Sequence, residues 1–101
     1  MSVKTLNALN FKSSVLDPCG TVLVEFYSER NASSKMVLID LEQIAQEHPD
    51  IIIGKVNVDK EPHLTARYGI IYVPTLMVFK DGGVCKRSAG VCSKHDILKM
   101  L

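Results

Sequence analysis

The sequence predicts an α/β domain in which a central mixed β-sheet carries helices on both faces. Two observations predict it. Two runs suited to buried strands flank a stretch with helical spacing, the pattern of a strand-helix-strand unit. Farther on, a short helical stretch precedes two more strands joined by one glycine turn, and a last helix closes the chain.

Thr21–Tyr27 (TVLVEFY) is β-branched, aromatic and almost continuously apolar, which suits a strand buried on both faces. From Lys35 to His48, positions Val37, Leu41, Ile44, Ala45 and His48 keep helical spacing, while Asp40, Glu42, Gln43 and Glu47 fall elsewhere on the helix surface. Ile51–Val58 (IIIGKVNV) reads as a second buried strand, and Glu61–Tyr68 as a short helix stopped at Gly69. Thr75–Lys80 and Val84–Ala89 are strands meeting at Asp81-Gly82-Gly83, a connection short enough to make them an antiparallel hairpin. Ser93 is the candidate N-cap of a final helix reaching Leu101. No repeat, low-complexity stretch or linker interrupts this order, so one domain is expected over residues 1–101.

A chain of 101 residues buries roughly 65% of its unfolded surface, enough for one core without staples. A net charge of +1 gives no electrostatic case for nucleic acid or an anionic membrane as partner. No run approaches the ~18 apolar residues of a spanning helix. Met1–Asn10 lacks the apolar block of a secretory signal, so the cytoplasm is the expected compartment. Cys19, Cys85 and Cys92 form neither a CxxC nor a zinc-ligand spacing, and His48 and His63 fit no ligand cluster. No metal or cofactor is expected, and the three thiols read as free and mostly shielded.

Four segments, in order and at matching spacing, resemble the thioredoxin family over nearly the whole chain: VLVEFYSE at Val22–Glu29, KVNVDKEPHLTARYGI at Lys55–Ile70, VPTLMVFKDGG at Val73–Gly83, and AG at Ala89–Gly90. The resemblance implies the thioredoxin fold and, for the family, disulfide oxidoreductase activity in cell redox homeostasis. The family's chemistry sits in WCGPC at a helix start. Those five positions are here Arg30, Asn31, Ala32, Ser33 and Ser34. Lys35 and Met36 resume the family pattern, so the register is fixed on both sides and the two cysteines are absent.

Disulfide exchange requires an attacking thiolate and a second thiol to resolve the mixed disulfide. Asn31 is not a nucleophile, and the Ser34 hydroxyl is no alkoxide near neutral pH, so no catalytic residue is expected at either position. Asn and Ser are good helix caps, and an ordinary cap is one reading of the substitution. Another is that the helix start, flanked by Arg30 and Lys35, binds an anion or a partner's carboxylate. Asn31-Ala32-Ser33 also fits the N-glycosylation pattern, read as coincidence without a secretory signal. Ile39 stands where the family usually has a kinking proline, which implies a straighter helix.

By resemblance, Glu25 takes the place of a buried acid that exchanges a proton with the resolving thiol, and Lys55 that of the lysine beside it. A buried carboxylate without a partner is costly, so either Glu25 pairs with Lys55 or its pKa rises. With its thiol gone, Glu25 reads as a structural relic. Pro74 matches the family's cis-proline, whose loop pairs with an extended peptide. Ile71, Tyr72 and Val73 before it, and Gly90, Val91 and Cys92 beyond, would complete the groove. Peptide binding there needs no cysteine; alternatively Pro74 only fixes the turn. Cys85 and Cys92 lie roughly 20 Å apart along an extended segment, too far to bridge. Cys92 is the thiol that the resemblance places near the degenerate site, and His95 is expected to face solvent.

The leading expectation is a protein- or peptide-binding module without redox turnover. Arg30, Ala32 and Ser33 would contribute with Tyr72, Val73 and Pro74, and with Gly90, Val91 and Cys92. The alternatives are a thiol–disulfide oxidoreductase working through Cys92 or a partner's thiol, and an inactivated engineered derivative of an active member. The sequence names neither client nor oligomeric state.

Overall fold

Thr21–Tyr27 forms strand β2 at the centre of a five-stranded sheet, because its alternate side chains find a hydrophobic layer on each face. The computed structural model describes residues 3–101. Its other strands are β1 (Lys4–Thr5), β3 (Ile52–Asn57), β4 (Thr75–Lys80) and β5 (Gly83–Ala89). Its helices are α1 (Ala32–Glu47), α2 (Pro62–Arg67) and α3 (Lys94–Met100), with a π-helical segment at Lys12–Leu16.

The strand order is β1-β3-β2-β4-β5. β1 and β2 run parallel to β3, β4 runs antiparallel to β2, and β5 runs antiparallel to β4. On one face, Leu23, Leu76 and Val78 pack with Val37, Leu41 and Ile44 of α1 and Ile97 of α3. On the other, Val24, Phe26, Met77 and Phe79 meet Phe11 and Val15 from the π-helical region and Leu64 of α2. Phe79 stands edge-on to both Phe11 and Tyr68 at centroid distances of 6.0 and 5.6 Å, a favourable aromatic geometry. The mixed sheet with helices on both faces is therefore as the periodicities predict.

Element ends differ from the sequence reading where caps and chain pairing decide them. α1 begins at Ala32, three residues before Lys35, where the sequence pattern starts it, because Asn31 caps it. The Pro62 ring takes the first position of α2, where no N–H is needed. Ser93 caps α3 by accepting from the Asp96 N–H at 3.1 Å. β1 and the π-helical segment have no counterpart in the sequence reading.

The expectation of shielded thiols is corrected. Cys19 and Cys85 are exposed and Cys92 is half-buried, all three free. Cys19 falls in the loop before β2, and Cys85 lies on the outer strand β5 at a register shift, so neither reaches a core layer. Among the described residues no helix is long and apolar enough to cross a membrane.

Candidate functional site

The C-terminal end of β2 delivers the chain to α1 through Ser28, Glu29 and Arg30. Asn31 then adopts extended backbone (φ −109°, ψ 114°), and its Oδ1 accepts from the Ser34 N–H at 2.8 Å. This is an N-cap: the side chain satisfies one of the four N–H groups that a helix start leaves open. Asn31→Ala should therefore lower stability by about 1 kcal/mol, read from the urea midpoint. An unchanged midpoint would show that the cap contributes nothing.

Arg30 is engaged elsewhere. Its Nη2 donates to Asp59 Oδ1 at 3.1 Å, while Ser28 Oγ donates to Asp59 Oδ2 at 2.8 Å. The Ser28 hydrogen bond first, and Arg30 with it, hold the Asp59 carboxyl below its ordinary value. The Arg30–Asp59 pair is exposed and contributes little to stability, but it gives the guanidinium a carboxylate within the chain.

A second feature lies within the sheet, on β2. Glu25 is 0% exposed on β2, in register with Lys55 of β3 and Leu76 of β4. Neither carboxyl oxygen has a hydrogen-bond partner among the described residues. Burial pushes its pKa from 4.5 up to about 8, against the smaller opposing pull of Lys55. Lys55 is half-buried with its Nζ 5.8 Å from the Tyr27 ring centroid, and it makes no ion pair with Glu25. Ser34 is also fully buried, with an Oγ that finds no partner.

Two further loops are tied to each other. The Val73–Pro74 peptide is cis, and Pro74 O accepts from the Gly90 N–H at 2.8 Å, which ties the loop before β4 to the loop after β5. Thr75 Oγ1 donates to Tyr72 O at 2.6 Å and tightens the first of these loops. Ile71 and Tyr72 remain 83% and 67% exposed. After β5, Val91 and Cys92 border a groove with Met36 and Ile39 of α1. Cys92 Sγ lies 3.1 Å from Ser88 Oγ, and His95 is exposed.

The structure thus brings Pro74 to Gly90, and Val91 and Cys92 to α1, while Arg30 is joined to Asp59. The sequence reading passed over Ser28 and Asp59 as Arg30's neighbours, since nothing in their spacing signals the contact. Met36 and Ile39 are groove residues that the sequence reading does not include. Their signal was available: they are apolar positions off the helical stripe of Val37, Leu41 and Ile44. Among the described residues no three metal-ligating side chains converge.

Comparison with known proteins adds sequence-wide similarity to this geometry. The family model described as thioredoxin matches residues 2–101. Thioredoxin of Chlamydia caviae is 35% identical over 99 residues, covering 98% of this chain and 95% of that protein. Thioredoxin of Chlamydia trachomatis is 34% identical with the same coverage. Thioredoxin 1 of Synechococcus elongatus is 41% identical over 92 residues, covering 90% of this chain and 86% of that protein.

Proposed function

This chain belongs to the thioredoxin family, and we propose that it is a member without dithiol–disulfide exchange that binds an extended segment of a protein partner beside Pro74. The observation that carries the first half is the Asn31 cap: a carboxamide oxygen, bonded to the Ser34 N–H, fills the helix start where an attacking thiolate would have to stand. Ser34, where a resolving thiol would stand, offers only a buried hydroxyl. The second half is supported by the exposed apolar side chains of Ile71, Tyr72 and Val91, which flank the hydrogen-bonded Pro74 and Gly90 loops. Three free cysteines suit a reducing compartment such as the cytoplasm.

A second reading, thiol–disulfide exchange through Cys92, is favoured by one observation: this thiol borders the groove that Met36 and Ile39 line. Reduction of insulin by dithiothreitol separates the two. The purified chain should leave the rate at background, and Cys92→Ser should change nothing. A clear acceleration that Cys92→Ser abolishes would establish the second reading instead. For binding, the probe is cysteine-blocked insulin B chain titrated into 15N-labelled protein. Amide shifts at Tyr72, Val73, Gly90 and Val91 are expected, and their absence would overturn the binding half.

A further inference from the structure

A cleft of about 290 Å³ opens at the pole of the sheet opposite the Pro74 loop. Its position follows from strand direction. Asn31 and Pro74 lie beyond the C-terminal end of β2, whereas the cleft gathers at the start of β3, the end of α1 and the π-helical segment. The walls are apolar: Pro18 lines it from the loop before β2, and Pro49, Ile51 and Ile53 from the chain that enters β3.

Three polar side chains, Ser13, Ser14 and Lys4, break this apolar lining, and the last two lack a partner among the described residues. Ser14 lies three residues after Phe11, on the buried side of the π-helical segment, and is 4% exposed. Its Oγ has no hydrogen-bond partner among the described residues, although neighbouring Ser13 Oγ donates to Asn10 O at 3.2 Å. An unpaired buried hydroxyl is costly in a fold unless something takes its hydrogen bond. Lys4 of β1 also lines the cleft, and its ammonium makes no ion pair with any described residue.

We propose that this cleft binds a short aliphatic carboxylate, its chain against Pro18, Pro49, Ile51 and Ile53 and its anionic oxygens on the Ser14 hydroxyl and the Lys4 ammonium. Both polar groups can donate, and one is a cation, so the head group they fit is an anion. An alkylammonium would meet Lys4 as a like charge, and an alcohol would leave Lys4 without a counter-charge. Roughly 30 Å³ per small group gives room for about nine heavy atoms, enough for the carbons and oxygens of hexanoate. For so few atoms the dissociation constant falls near ~1 mM.

The test is titration of 15N-labelled full chain with sodium hexanoate. Saturable amide shifts at Lys4, Ser14, Ile51 and Ile53 are expected, with none at Asn31 or Val73. Ser14→Ala should weaken binding about tenfold, since a hydrogen bond to a charged group is lost. Lys4→Gln, at an exposed position of β1, should weaken it about fivefold. 1-Hexanol should bind about tenfold more weakly than hexanoate. Shifts that never saturate, shifts centred on the Pro74 loop, or equal affinity for hexanol and hexanoate would each overturn the proposal.

Discussion

Replacing Glu25 with methionine should abolish most of the pH dependence of stability between pH 4.5 and 8 and make the protein markedly more stable at pH 9. The sign follows from where the proton sits. Below 4.5, the ordinary value, folded and unfolded chains both hold it. Between 4.5 and about 8 only the folded chain does, because burial disfavours the carboxylate. Stability therefore falls as pH rises through this window, by about 1.4 kcal/mol per unit and on the order of 5 kcal/mol in all. Above about 8 the loss is complete. Asp59, whose carboxyl is held low, acts in the opposite direction and only in acid below its ordinary 3.8. Methionine fills a similar volume with no ionisable group, and half-buried Lys55 can still reach water. Urea unfolding across pH 4 to 9 reads the difference. Parallel profiles for the parent and the variant would show that Glu25 is not the group responsible.

The double substitution Asn31→Cys with Ser34→Cys should confer insulin reduction at roughly a hundredfold the parent's rate, the parent having no dithiol to turn over. A thiol at position 31 would stand where the Ser34 N–H now points at a side-chain acceptor, a setting that favours the thiolate. A thiol at position 34 would replace a buried hydroxyl without a partner, relieving about 1 kcal/mol and offsetting the lost cap. Glu25, two residues before the end of β2 and protonated near neutral pH, would supply a buried acid. A folded double variant that remains at background would show that the surrounding loops no longer accept a disulfide substrate.

The central strands were legible because burial on both faces leaves a continuous apolar run. β2 and β4 match their sequence bounds residue for residue. The first turn of α1 was not legible from periodicity, since Ala32, Ser33 and Ser34 carry no large apolar side chain; only the capping chemistry of Asn31 marks it. The first twenty residues gave least. A two-residue strand cannot show a period, although Phe11 and Val15, four apart and both buried, carry a helical hint. At the site, the absence of sulfur was plain from the residue types. The Arg30–Asp59 pair was not, because twenty-nine positions separate the partners and only the parallel pairing of β2 with β3 brings their ends together. The cleft at the opposite pole was equally hidden, its walls coming from segments with no common motif.

The pairing of β5 with β4 carries a further consequence. Ala89 to Lys86 stay in step with Thr75 to Val78, then the ladder restarts at Val84 opposite Phe79, leaving Cys85 as the extra residue. β5 is the outer strand, so its far side is an open row of amides and carbonyls. The extra residue cuts that row into pieces of four and two, each shorter than an ordinary strand. Lys86 and Arg87 place like charges on any second copy that tries to extend the sheet. The margin of the molecule is thereby a poor template for fibrillar growth, and a single inserted residue is what keeps it so.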